Sequence, residues 1–247
     1  MNIESARDVH RNPQRTRTAE RGNFPTEVFE QLRNLIVQGK LAPGTWIVES
    51  ELTRRLKFSR TPVRSALQWL AREGYVIVHS TGRKSRMRVA PMTKEDAKEI
   101  FYIVGHIESL ASSHAALLPA ERRDQLTKRL AKINSALHEI AKGHKAEPDR
   151  ILELDTSFHD LVVSAHAGPR LVALHSSIKP LTKRYFRLYA SAIIKDLHSS
   201  VSEHEEIIKA ISSGEPDYAE REMQANWQNG AARLATIIEL YGEHGNW

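Results

Sequence analysis

A chain of 247 residues has room for two modest domains or one large one, and without cysteine it carries neither a disulfide framework nor thiolate chemistry. No apolar run approaches the roughly 20 residues of a membrane span and no signal-peptide core opens the sequence, so a cytoplasmic protein without membrane contact is expected. The net charge of +6 is uneven: up to Pro91 there are 17 Lys/Arg against 8 Asp/Glu, and the rest is net acidic, which points the N-terminal part at phosphates.

Residues 1–22 hold Arg7, Arg11, Arg15, Arg17 and Arg21 with almost no apolar periodicity, which predicts a disordered basic arm, either tracking phosphates or merely solvated. A domain expected over 23–91 opens with Val28, Leu32, Leu35 and Ile36 on one face of a helix that stops at Gly39. Leu41-Ala-Pro-Gly-Thr-Trp-Ile-Val then reads as a turn leading into a short extended segment. Leu52 and Leu56 share a face of a second, short helix. Ser59 stands as N-cap of a third, its hydroxyl available to a backbone N–H of the next turn. Pro62 falls in that first turn, where its missing N–H costs little. Val63, Ala66, Leu67 and Leu70 form the buried face, which leaves Arg60, Thr61 and Arg64 at the solvent-facing N-terminal end. In a helix-turn-helix, that end reaches base edges and phosphates. Strand-like Tyr75-Val-Ile-Val-His and Met87-Arg-Val-Ala, joined by a basic segment, complete a winged helix-turn-helix.

Pro91 closes that unit, and residues 92–247 read as nearly all helical. Helices are expected over 93–118, capped by Thr93, then over 121–141, 150–165, 171–178, 181–194, 201–212 and 217–241, with Pro180 as a break or kink. About six or seven helices imply an antiparallel bundle with its own core. The fold class is therefore mostly α: an N-terminal winged helix-turn-helix plus a C-terminal all-α bundle.

Three stretches carry a family resemblance. Ile36-Val-Gln-Gly-Lys-Leu-Ala-Pro-Gly-Thr, Ser-Arg-Thr-Pro-Val-Arg-Ser-Ala-Leu at 59–67, and Leu70-Ala-Arg-Glu-Gly-Tyr-Val resemble the opening, recognition helix and wing entry of the GntR family of bacterial transcription regulators. The helical remainder resembles the FCD domain of that family's FadR-type branch. The resemblance implies a homodimer on a palindromic double-stranded DNA operator, with a small-molecule effector setting affinity, most often as a repressor. Elementary counting leads to the same place, since one recognition helix reads too few base pairs to select a genomic site, and two-fold dimers double the contact.

Arg60 and Arg64 are the strongest candidates for base or phosphate contact, because a guanidinium can grip guanine O6 and N7 bidentately. Ser59 and Thr61 suit phosphate ligation, with a capping role alone as the other reading for Ser59. Arg54 either reaches the backbone or is solvated. Arg83, Lys84, Arg86 and Arg88 make the wing basic, with Arg86 and Arg88 on one strand face and Met87 and Val89 turned inward.

In the helical part, Asp155 and His159 are spaced i, i+4 and so project from one helix face, while His204 opens a later helix. This looks like the family's metal pattern of one Asp and three His. At the last position this chain has Asn226, a weaker and harder donor than imidazole. The set would hold one divalent ion such as Zn²⁺ per subunit, or else line a metal-free polar cavity that binds the effector directly.

Many relatives place an arginine early in the first helix of this domain to meet a carboxylate effector. The equivalent Tyr102-Ile-Val-Gly-His-Ile-Glu has none. Lys183, Arg184 and Arg187, with Tyr185 and Tyr189, either replace it or form a solvated face. A metal-dependent enzyme is disfavoured, since no general base in the H-E-x-x-H layout is present. A non-specific architectural DNA binder would need no separate sensor domain.

Overall fold

The computed structural model describes residues 24–81, 84–143 and 147–245. The expected arm at 1–22 and Arg83 of the wing lie outside them.

The N-terminal unit has the expected order. Helix α1 (Phe24–Val37) buries Val28, Phe29, Leu32 and Ile36, and Gly39 follows at φ 71°. Strand β1 (Trp46–Ile47), helices α2 (Glu49–Leu56) and α3 (Arg60–Arg72), and strands β2 (Val76–Thr81) and β3 (Lys84–Val89) complete it. The extended segment at Trp46 proves to be a third strand, giving an antiparallel sheet in the order β1-β3-β2. Both wing strands run further toward the tip than their apolar residues suggested, because the ladder continues through polar pairs such as His79 with Arg86 and Ser80 with Ser85.

Between α2 and α3 the chain turns at Lys57, in the left-handed region at φ 60°. Ser59 occupies the N-cap position of α3 with extended backbone, but its hydroxyl makes no capping bond, so the expected cap bond is absent. Thr93 does cap its helix, its hydroxyl accepting from the amide of Asp96 at 3.1 Å.

Six helices form the bundle: α4 (Lys94–Ala116), α5 (Ala120–Lys142), α6 (Pro148–His166), α7 (Pro169–Ile193), α8 (Leu197–Ser213) and α9 (Pro216–Tyr241), with a 3-10 turn (Ile194–Asp196) before α8. Central α4 packs against α6, α7, α8 and α9. Its small residues make this possible, with Gly105, Ser109, Ala111, Ser112, Ala115 and Ala116 all buried. At Gly105 even a Cβ would come within 2.8 Å of the Trp227 Cβ, so glycine sets the α4–α9 spacing.

Two expectations need correction. Pro180 does not interrupt its helix, since α7 continues through it and the one residue with non-helical angles is Tyr189 (φ −107°, ψ 16°). Residues on both sides of Pro180, Lys179 and Leu181, are packed inside the protein, which holds the turn despite the missing N–H. Nor is the bundle core separate. One apolar cluster runs from Val28 and Leu67 through Tyr185 to Ile238, joining the two units, with α1 against α7. A smaller cluster of Leu137, Ile151, Leu154, Leu197 and Val201 lies beside it.

Polar contacts fasten the same junction. Arg184 is buried, and its Nη2 donates to the Ala90 carbonyl at 2.6 Å. The Tyr185 hydroxyl donates to the Asp96 carboxylate and lies 3.1 Å from the Thr93 carbonyl. Beyond α9 the chain crosses back. His244 pairs with Met92 through two backbone hydrogen bonds of 2.8 and 3.1 Å, and the Tyr189 hydroxyl donates to the Gly242 carbonyl at 2.8 Å. Gly245 then lies on Gly44, so close that a Cβ on Gly44 would come within 2.6 Å of the Gly245 Cα.

Candidate functional site

Two surfaces carry chemistry. At the start of α3, Ser59, Arg60, Thr61 and Arg64 are all exposed, as is Arg54 in the last turn of α2. Val63, Ala66, Leu67 and Leu70 anchor the opposite face of α3, so the geometry presents the N-terminal end of α3 outward. The Arg64 guanidinium donates to the Glu49 carboxylate at 2.9 and 3.4 Å. In the wing, Arg86 lies over the Trp46 ring at 4.3 Å and Arg88 at 5.9 Å, on the shared strand face that alternation predicts. Lys84 opens β3 at the wing tip.

The second surface is inside the bundle. Asp155 and His159 on α6 meet His204 on α8, with Asp155 Oδ1 3.9 Å from His159 Nε2 and 3.8 Å from His204 Nε2. Their ligand atoms all lie within 4.8 Å of one another. His159 and His204 are buried, and His204 stacks on Phe158 at 3.9 Å between ring centroids.

Each ring is turned by an acceptor on its far side. His159 Nδ1 donates to Glu108 Oε2 at 2.5 Å, and His204 Nδ1 donates to Asn134 Oδ1 at 3.1 Å. The Asn134 amide nitrogen is committed to the Val201 carbonyl at 3.0 Å, so its oxygen must be the acceptor. Both histidines therefore present Nδ1 to an outer acceptor and turn Nε2 toward Asp155. His204 Nε2 is buried without a hydrogen-bond partner. Burial, then the neighbouring His159 and Lys179, hold the His204 ring well below its ordinary pKa, which keeps that lone pair unprotonated. Such an orphaned lone pair beside a second imidazole and a carboxylate fits a divalent cation.

Asn226 on α9 faces the same cavity. Its amide nitrogen donates to Glu203 at 2.8 Å, so its carbonyl oxygen is the atom left for a cation.

Behind His159 sits a group that sequence reasoning missed. Glu108 on α4 is fully buried and receives four donors: His159, His175 at 2.8 Å, Lys179 at 2.7 Å and the Trp227 indole at 2.8 Å. Burial alone would raise its pKa, but the Lys179 charge and the two histidines hold it well below the usual carboxylate range. The only hint in the sequence was the i, i+4 pair His175 and Lys179 on one face of α7.

The cluster opens into a cavity of about 360 Å³ between α6, α7 and α9, which Asp155, His159, Lys179, Lys183, Asn226 and Arg233 reach along with the apolar Phe101, Phe186, Ile193, Leu234 and Ile237. Of the five residues expected to meet the effector, Lys183, Arg184, Tyr185, Arg187 and Tyr189, Lys183 alone lines it. Arg184 and Tyr185 are spent on the Ala90–Asp96 junction, and Arg187 is exposed and pairs with Asp149 at 2.9 Å. One helical turn explains the difference, because Lys179, Thr182, Lys183 and Phe186 face the cavity while Arg184 and Tyr185 face the linker.

Comparison with known proteins finds a family match for each of the two units. Residues 25–83 match the model of bacterial regulatory proteins of the gntR family, and residues 99–229 match the FCD domain. The chain is 25% identical to the gluconate operon transcriptional repressor of Bacillus licheniformis over 88% of this chain and 87% of that protein. It is 26% identical to a probable D-xylose utilization operon transcriptional repressor of Paenarthrobacter nicotinovorans, over 79% and 83% respectively. Among solved structures, E. coli McbR/YncC superimposes with a TM-score of 0.64 at 19% identity, covering 89% of this chain and 99% of that one. No helix among the described residues is long and apolar enough to cross a membrane.

Proposed function

Because this chain belongs to the GntR family of bacterial regulatory proteins and carries an FCD domain, we propose that it is a repressor of the FadR-type branch that binds a palindromic operator as a homodimer. In this reading a small carboxylate metabolite enters the bundle cavity and is received beside a divalent metal. Like its relatives the chain is a transcription regulator and not an enzyme. The observation that carries the reading is the pair of histidines, each with Nδ1 presented to an outer acceptor, turned onto Asp155 at the wall of the cavity.

Asp155, His159 and His204 would hold the ion, with the Asn226 oxygen as the fourth protein donor. The metal would supply a positive centre for the effector's carboxylate, and Glu108 and Asn134 orient the imidazoles whether or not it is bound. Coupling to DNA follows from α7 and α9. The first carries Lys179 and Lys183 to the cavity and Arg184 and Tyr185 to the linker, and the second runs from Arg233 and Ile237 into the tail that pairs with Met92. A ligand moves operator affinity only if it binds one arrangement of these elements better than another.

Elemental analysis after zinc loading and dialysis tests the metal reading. Wild type is expected to retain about one ion per chain, His204→Ala and His159→Ala to lose it, and Asn226→His to bind it more tightly. A wild-type protein that dialyses free of zinc would refute the metal centre. The two alanine variants should keep basal operator affinity and lose the response to effector.

On the DNA side, Arg64→Ala is expected to weaken operator binding by about 1–3 kcal/mol while far-UV circular dichroism stays unchanged. The Glu49 pair is exposed and contributes little to the fold, so the loss should register in the complex. Equal operator affinity of wild type and variant by fluorescence anisotropy would take Arg64 out of the contact set.

A further inference from the structure

We propose that the cavity's ligand is a short monocarboxylate with a hydrocarbon body rather than a polyhydroxylated acid. The inference rests on reading this cavity as the effector site, and goes beyond it by naming the chemical class. Its size, about 360 Å³, lies near the lower end of the range for small-molecule sites.

Most polar groups of the wall are engaged within the protein, although Thr156 makes no side-chain hydrogen bond among the described residues and Ser200 only accepts one from Arg233 at 3.4 Å. Lys179 is held by Glu108, and the Thr182 hydroxyl donates to the Lys179 carbonyl at 2.8 Å. Arg233 is held by Glu203 at 2.6 and 3.0 Å and by Asp196 at 3.4 Å. The Asn226 nitrogen and the Trp227 indole are taken by Glu203 and Glu108, and the Thr236 hydroxyl donates to the Ala232 carbonyl at 3.3 Å. A ligand with a hydroxyl on every carbon would bury several of them without partners, each at a cost in binding.

One cation stands apart. Lys183 is half-buried and makes no ion pair or hydrogen bond among the described residues, although Asp155 and Asp160 lie near enough to act on its charge. Burial lowers the pKa of its ammonium, so an incoming carboxylate would relieve a real desolvation cost.

The apolar part lies further along. Helices α7 and α9 run side by side in the same sense, with Lys179 over the Trp227 ring at 4.2 Å and Tyr189 bonded to Gly242 one end later. Along that direction the wall passes from Lys179, Lys183 and Asn226 to Phe186, Ile193, Leu234 and Ile237, alongside the mutually paired Arg233 and Asp196. A carboxylate beside Lys183 and the histidine cluster therefore leaves its body against aliphatic and aromatic carbon.

Three six-carbon probes separate charge from hydroxylation: hexanoate, hexan-1-ol and gluconate, titrated calorimetrically into the zinc-loaded full chain. Hexanoate is expected to bind on the order of tenfold or more tighter than either of the others. Lys183→Met should erase its advantage over hexan-1-ol, and Lys183→Arg should keep it. Gluconate binding as well as hexanoate, hexan-1-ol binding as well as hexanoate, or no binding by any probe overturns the proposal. So does a preference that survives Lys183→Met. Operator titration of the same samples separates the two readings. Hexanoate binding that leaves operator affinity unmoved supports the ligand class and refutes the regulatory role of the cavity, whereas gluconate binding that shifts operator affinity does the reverse.

Discussion

Glu108→Gln is expected to lower the unfolding free energy by about 3–5 kcal/mol, the cost of removing one partner from a buried ion pair. The wild-type carboxylate is inaccessible to solvent and neutralises Lys179, which is itself only 4% exposed. Glutamine leaves that ammonium buried without a counter-charge. It also aims an amide NH₂ at a site where all four neighbours donate, so at least one donor loses its acceptor. Solvent cannot screen the loss, because every group involved is inside the bundle. Urea denaturation in excess chelator isolates the effect from any metal contribution. A change under about 1 kcal/mol would mean that the carboxylate is not the hub its contacts describe. The double variant Glu108→Gln with Lys179→Met should recover part of the loss, since it removes the stranded charge.

Operator affinity is expected to fall about a thousandfold between 50 and 200 mM salt. Arg54, Arg60 and Arg64 with Lys84 and Arg86 give each chain several cations on the elements proposed to face DNA, and the proposed dimer doubles them, which reaches the six to ten phosphate contacts that produce such a slope. Arg86 adds a finer test. Its stacking on Trp46 pre-orients the guanidinium at the wing, so Arg86→Ala should reduce the log–log slope by about one. Affinity that is flat across the salt series would contradict a phosphate-centred interface.

What the sequence disclosed and what it hid divide along a physical line. The DNA-reading helix was legible because its signals are local: Pro62 in the first turn, and an apolar stripe from Val63 to Leu70 that leaves one face free. Asp155 and His159 were legible for the same reason, since i, i+4 spacing on one helix fixes their common direction. His204 and Asn226 joined them only through the family pattern. Glu108 was hidden because a glutamate among Ile107, Ser109 and Leu110 reads as a surface residue until the donors from three other helices are known. Arg184 misled for a complementary reason. Its partner is the main-chain carbonyl of Ala90, and a carbonyl leaves no mark in a sequence. Lys183, one residue earlier, turns the other way into the cavity, and no periodicity argument for a helix buried on two sides could assign which neighbour went where.

The tail has a mechanical consequence. A body held by a single strand of chain can swing freely, but one held by a second segment as well has far less freedom to do so. The winged unit is attached covalently through Ala90 to Thr93, where Arg184 and Tyr185 grip it, and a second time where Gly245 bears on Gly44. The apolar seam between α1 and α7 adds a further hold, because close-packed side chains resist sliding. The tail thereby ties the C-terminal end of α9 to the same short stretch that α7 grips, and Gly44 is itself bonded to Val89 at 3.0 Å. A shift of either helix bears directly on the base of the wing.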